Sequence, residues 1–273
     1  MLFTEQQLQD FASQTFAHLI LDESNHVLTI TLNRPEKKNA LSPVLFNELA
    51  YALSYAKTNN SIWVVIIKAN GTVFCAGADL KAFAGATEPT VSTIPKPNGE
   101  VVLGDIFSSL HKPCIAQVHA QVLAGGFLII CGCTHVIASA NATFSLPEVK
   151  RGLYPFQVMQ SMLNIMSPRA VLDFCMRAKT ADANEALQLG LVSKVVSESE
   201  LNDEVDALAN EIMQYSPSAI RLGLQAFDQL KSVPEAERQL FLKQMLNKAI
   251  QTEDAAEGIA AFAEKRTPVW KGQ

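Results

Sequence analysis

The rhythm of hydrophobic and polar positions changes along this chain. Val27–Leu32 (VLTITL) is an apolar and β-branched run cut off by Asn33-Arg34-Pro35, which predicts a strand ended by a breaker. Ser42-Pro43 then sets an N-cap residue before a proline at the first helical position. Leu45, Leu49, Ala52, Leu53 and Ala56 follow at helical spacing. Trp63 to Lys68 (WVVIIK) reads as the next strand, and Cys114–Val118 (CIAQV) as another. After a Gly125-Gly126 turn, a short apolar helix runs to Cys133 and a further strand covers His135 to Ala138. Strands alternating with helices predict parallel pairing through crossover helices.

Past residue 155 strand patterns largely disappear. Val158, Met159, Met162, Leu163 and Met166 make one helical stripe, read as core filling. Asp182, with Glu185 three residues on, predicts a capped helix that stops at Gly190. Leu201, Val205, Leu208 and Ile212 define another helix, and two or three more reach the end. These helices have apolar faces and no evident sheet to cover, so they are expected to pack on a neighbouring subunit. Between the halves, residues 81–104 are rich in Thr, Pro and Gly and have no sustained period, which predicts a long, mobile and functional loop.

Composition narrows the class. The chain has 273 residues, of which 48% are hydrophobic and 18% charged, enough for one large core or two modest ones. No stretch approaches the roughly 20 apolar residues of a spanning helix. The N-terminus carries acids and glutamines where a signal peptide has a basic then apolar run, so a soluble, cytoplasmic protein is expected. With 22 basic against 27 acidic residues and no long basic run, a nucleic-acid platform is disfavoured. The five cysteines are odd in number and lie mostly in apolar surroundings, as core thiols do in a reducing compartment. Cys131 and Cys133 lack the second pair that a zinc site needs.

Three segments can carry chemistry. Phe74 to Lys81 (FCAGADLK) follows a strand, and its small residues would let a ligand approach backbone N–H groups. Leu123 to Leu128 (LAGGFL) leads into a helix, with the Gly125 N–H at the positive end of its dipole. Two such N–H groups converging would form an oxyanion hole; taken singly, each segment also reads as a tight turn that needs glycine. In Phe144 to Val149 (FSLPEV), Glu148 stands among apolar residues. Desolvation would raise its pKa and suit it to proton transfer, whereas a solvated surface glutamate is the plainer alternative.

Taken together, ITLNRPEKKNAL from Ile30, FCAGADLK, KPCIAQVHAQVLAGG, FSLPE, TADANEALQLGLVSKVV and EGIAAFAEKR resemble the crotonase superfamily of enoyl-CoA hydratases and isomerases, in order and over nearly the whole chain. The resemblance implies an α/β fold: a crotonase-like ββα spiral over residues 1–200 and a helical trimerisation region over 201–273. It further implies a homotrimer or dimer of trimers and an acyl-CoA thioester substrate, with no metal or other cofactor. By position, the family's oxyanion donors fall on Ala78 and Gly125. Lys37, Lys38 and Ala40, with Asp79, Leu80 and Lys81, match segments that family members place beside CoA.

One departure bears on the reaction. Hydratases of this family resemble one another in using two glutamates, one in a Gly-Gly-x-Glu context and one in a Pro-Glu context. Here the second is Glu148 and the first position is Leu128. Water addition needs both a base and an acid, whereas moving a double bond from the 3,4 to the 2,3 position needs one group that takes and returns a proton. The resemblance therefore favours a single-glutamate Δ3,Δ2-enoyl-CoA isomerase; an atypical hydratase and a non-catalytic acyl-CoA binder are the alternatives. Tyr154 and Phe156 are expected to narrow the acyl pocket or place a hydroxyl in it. His119 stands where the family often has asparagine, and is read as a hydrogen-bonded structural residue, with rescue of the missing base as the alternative. A Ser-His hydrolase built on Ser145 lacks a positioned histidine, and no G-x-G-x-x-G follows a strand to suggest a dehydrogenase.

Overall fold

The computed structural model describes residues 2–86 and 90–273. Its ten strands are β1 Leu19–Ser24, β2 Val27–Leu32, β3 Val64–Ala69, β4 Val73–Cys75, β5 Cys114–Val118, β6 Gln121–Leu123, β7 His135–Ser139, β8 Thr143–Ser145, β9 Thr180–Asp182 and β10 Lys194–Val196. They form a six-stranded sheet in the order β1-β2-β3-β5-β7-β10 and a four-stranded sheet in the order β4-β6-β8-β9. All pairings are parallel except the edges β1 with β2 and β8 with β9. From β3 to β8 the chain therefore places one strand in the large sheet and the next in the small one, turn after turn. A spiral results.

The β-branched runs that predict strands are the ones buried on both faces. Along β3 and β5, Val65, Ile67 and Ala116 join the main core, while Val64, Ile66 and Ile115 point the other way, because successive side chains in a strand alternate. The main core is closed by the Pro43–Thr58 helix. Ser42 caps it, its hydroxyl accepting from the Leu45 N–H at 3.2 Å, and Leu45, Leu49, Leu53 and Ala56 are buried.

Several expectations change. The helix Leu201–Met213 does have a sheet to cover: Leu201, Val205 and Ala209 pack on Val64, Ile66, Ile115 and Ile137. The Met stripe is not one helix. The helix Phe156–Met162 stops there, and Met166 is brought into the core by tight turns, its N–H donating to the Met162 carbonyl. Ser167-Pro168 downstream starts a new helix, and a residue before proline is pushed out of helical geometry. In residues 81–104, positions 87–89 lie outside the described residues. Within the rest, the Thr93 N–H donates to the Thr15 carbonyl and the Asn98 N–H to the Leu2 carbonyl. Among the described residues no helix is long and apolar enough to cross a membrane, and no group of His, Cys, Asp or Glu could hold a metal ion.

Candidate active site

The small sheet assembles the site. Strands β4, β6 and β8 are adjacent and parallel, and end at Cys75, Leu123 and Ser145. The chain leaving each C-terminal end carries Ala78, Gly125 and Glu148 respectively, so residues 23 to 70 positions apart are delivered to one edge. Ligands of parallel α/β sheets bind at that edge.

The first two loops hold each other. In the bridge between Leu41 and Ala78, the Leu41 N–H donates to the Gly77 carbonyl at 2.8 Å and the Leu41 carbonyl accepts from the Asp79 N–H at 2.9 Å. That pattern turns the N–H of Ala78 away from Leu41. The residues just before the two candidate donors are both left-handed: Gly77 at φ 87° and Ala124 at φ 50°. A left-handed residue rotates the next peptide out of the local run, and an alanine there is strained. The two loops also touch. A Cβ on Gly77 would overlap the Ala124 methyl and lie 3.0 Å from the Gly125 nitrogen, and a Cβ on Gly125 would lie 3.4 Å from the Ala78 nitrogen. Among the described residues, neither the Ala78 nor the Gly125 N–H has a hydrogen-bond acceptor within the protein.

Glu148 opens the short 3-10 turn Glu148–Arg151, which closes on Gly152 at φ 72°. Its Oε2 is buried without a hydrogen-bond partner. Desolvation pushes its carboxyl above the usual range, against the opposing pull of its own backbone N–H and the Arg151 charge. Glu148, Ala78 and Gly125 line one cavity of about 440 Å³. The wall opposite in chemistry is apolar: Leu128, Phe46, Phe83 and Phe156. Phe46 and Phe83 meet edge to face with centroids 5.7 Å apart, and Phe156 is 70% exposed at the mouth. Tyr154 also lines the cavity. Burial and the Cys175 thiol beside it hold its phenol above its ordinary value.

Among residues singled out from the sequence, Ala78, Leu80, Gly125, Leu128, Glu148, Tyr154 and Phe156 thus come together. Lys37, Lys38, Ala40, Asp79 and Lys81 do not line this cavity. The Lys38 carbonyl accepts from the Ala76 N–H at 3.0 Å, which lays residues 38–41 alongside the Ala78 loop. Asp79 faces into the fold. One carboxylate oxygen accepts from Arg34 at 2.8 Å and the other from the Ala82 N–H at 3.2 Å, and the Arg34 bond holds its pKa below the usual range. Its carboxylate caps the Leu80–Phe83 turn and anchors the loop rather than reaching the cavity. Arg34, 1% exposed, Phe46 and Phe83 escaped the sequence reading. Arg34 lies inside a breaker, Phe46 shares its helix with core residues, and Phe83 belongs to the segment without a period. His119 does not line the cavity, and its Nε2 lies 2.8 Å from the Gly71 carbonyl.

The family model "Enoyl-CoA hydratase/isomerase" matches residues 22–273. The chain belongs to the enoyl-CoA hydratase/isomerase family. A mevalonyl-coenzyme A hydratase of Aspergillus fumigatus is 31% identical over 259 residues, 90% of this chain and 92% of that protein. A carnitinyl-CoA dehydratase of Escherichia coli is 34% identical over 261 residues, 93% and 98% of the two. Among solved structures, an enoyl-CoA hydratase from Mycobacterium tuberculosis superimposes with a TM-score of 0.83 at 27% identity, covering 94% of this chain and all of that one. Membership in the enoyl-CoA hydratase/isomerase family makes this an acyl-CoA enzyme and agrees with the spiral of parallel strands described above.

Proposed function

We propose that this acyl-CoA enzyme is a single-glutamate Δ3,Δ2-enoyl-CoA isomerase. The observation that carries the reading is a desolvated Glu148 carboxylate, one oxygen of which has no partner, lining a cavity whose other candidate acid position is Leu128. With a 3-enoyl thioester bound, the N–H groups of Ala78 and Gly125 would hold the thioester oxygen. The Glu148 carboxylate takes the proton from C2. The electron pair of that C–H bond moves into the thioester as a dienolate, whose charge the two N–H groups stabilise. Glu148, now protonated, returns the proton at C4, and the double bond comes to rest between C2 and C3. Glu148 ends as it began, and the step needs no metal or redox cofactor because CoA arrives with the substrate.

Hydration is the second reading. It is favoured by relatives that are named hydratase or dehydratase. Assaying the purified protein with 3-enoyl-CoA and with 2-enoyl-CoA in water separates the two: isomerisation is expected to dominate, and rapid hydration that survives Glu148→Gln would sink the single-glutamate mechanism.

The C-terminal helices support a homotrimer or a dimer of trimers. Phe262, 87% exposed, with Ile259, Phe227 and Leu246, presents apolar surface that a lone chain leaves in water. Light scattering is expected to give three or six times the 29.7 kDa of one chain, and a monomeric mass would remove this assignment.

A further inference from the structure

The cavity that holds Glu148 is aromatic out of proportion to the chain. Phe46, Phe83, Tyr154 and Phe156 are four of the 17 residues that line it, whereas aromatic residues make up 7% of the sequence. They come as two pairs from separate parts of the chain. Phe46, on the Pro43–Thr58 helix, meets Phe83 of the Leu80–Phe83 turn with the ring planes at 86°. Tyr154 and Phe156, on the segment that follows the Glu148 turn, have centroids 5.2 Å apart and planes at 51°. Each pair has one half-buried ring and one that stands in water: Phe46 and Tyr154 are the inner members, while Phe83 is 54% exposed and Phe156 more so. The inner rings are held in place. Phe46 belongs to a helix whose other face is in the core, and the Tyr154 phenol lies beside the fully buried Cys175 thiol.

Ala78, Gly125 and Glu148 line this same cavity, so the acyl group of a thioester held by them starts among these rings. The other polar side chains of the lining, Arg151 and Gln157, are exposed. A benzene ring and a cyclohexane ring bury similar apolar area, so burial alone does not tell them apart. Aromatic walls do. The face of an aromatic ring is negative and its edge positive, so an aryl group can set its edge on a wall ring or receive an edge on its own face. A saturated ring of the same size offers neither. We propose that this enzyme prefers acyl-CoA thioesters whose acyl chain ends in an aromatic ring, seated against the inner rings of Phe46 and Tyr154 and covering Phe83 and Phe156. The proposal rests on the acyl-CoA reading of the Glu148 cavity but not on which reaction follows.

Equilibrium binding of thioesters with no double bond in the chain tests it without turnover. Dissociation constants are measured by calorimetry for acyl-CoAs with chains of three, four and five carbons, each ended by a phenyl or a cyclohexyl ring. At one of these lengths the phenyl form is expected to bind about fivefold more tightly than the cyclohexyl form, the worth of one added aromatic contact. Phe46→Leu keeps the wall apolar and should bring that ratio to about twofold or less. Phe156→Leu, at an exposed position where folding is not at stake, should lower it as well. Equal or tighter binding of the cyclohexyl form at every length overturns the proposal while leaving the acyl-CoA reading intact, as does a phenyl preference that neither substitution moves. If no thioester of any kind binds to protein that remains folded, the acyl-CoA reading falls and the proposal with it.

Discussion

Asp254 and Glu148 are both desolvated carboxylates, and the fold treats them in opposite ways. Asp254, at the start of the last helix, is surrounded by donors: the N–H groups of Lys271 at 2.8 Å and Gly272 at 3.1 Å on one oxygen, the Ser218 N–H and the Ser216 hydroxyl at 3.1 Å on the other. Burial alone would raise its pKa, but those backbone donors bring it below the usual value. Glu148 has an oxygen with no partner, and burial prevails. Fully satisfied, the Asp254 carboxylate pins the C-terminal tail to the Pro217–Gln229 helix and has no capacity left for anything else. Glu148 is held at a free-energy cost at the end of a strand, and what it lacks is what a substrate would supply.

The sharpest way to break this contrast is Glu148→Gln. Turnover of 3-enoyl-CoA should fall about 10²- to 10⁴-fold, the usual cost of losing an acid–base group. Stability should not fall. A carboxyl whose folded pKa is raised makes the native state bind more protons than the unfolded one between 4.5 and the raised value, so stability declines as pH rises through that window. Glutamine removes the decline. In the native enzyme the acidic limb of kcat/KM should lie above pH 4.5, because the base must be ionised. A variant with undiminished turnover, or an acidic limb at or below that value, would make Glu148 a structural residue like Asp254.

Gly77→Ala comes next. The new methyl would meet Ala124 and force a residue at φ 87° to carry a Cβ, so it should spread the two loops. Loss of one oxyanion donor costs about 10²- to 10³-fold in kcat, and a loss of that order is expected from steady-state kinetics on protein with unchanged far-UV circular dichroism. Full activity would separate the left-handed geometry from catalysis.

Asp254→Asn should have the smallest effect on chemistry and a clear one on folding. Its amide would face backbone N–H groups in place of an acceptor, at a cost of about 1–3 kcal/mol. That corresponds to a fall in Tm of about 2–4 °C per kcal/mol for a chain of this size class. The stabilisation from Asp254 is present above 3.8 and is lost as pH falls through its lowered folded value, so the two proteins should converge in stability in strong acid. Thermal unfolding across pH measures this, with kcat expected to stay within about twofold of the parent enzyme. A large loss of kcat without a change in Tm would show that the C-terminal region reaches into the chemistry.

Elements were legible where local pattern and burial coincide. Strands β2, β3, β5 and β7 and the Pro43–Thr58 helix are long enough for their period to stand out, and each is deeply buried. Strand β1 escaped because it is an edge whose burial falls off after Leu19. The strands of the small sheet have three residues each, too few for any period to register. The helix Leu201–Met213 was recognised by its stripe but not by its partner, since an apolar face does not say whether it meets a sheet or another chain.

By itself the sequence determined the residue types that chemistry requires: a carboxylate in an apolar run, two glycine-bearing turns after strands, and leucine at the first of the two acid positions. It also carried enough family pattern to imply the spiral. Only the tertiary structure decided that Ala78, Gly125 and Glu148 share one edge, because their convergence depends on three short parallel strands lying side by side. Tertiary structure also turned Asp79 into a partner for buried Arg34. Distance along a chain is local information, whereas desolvation, pairing and shared cavities are properties of what folding brings together.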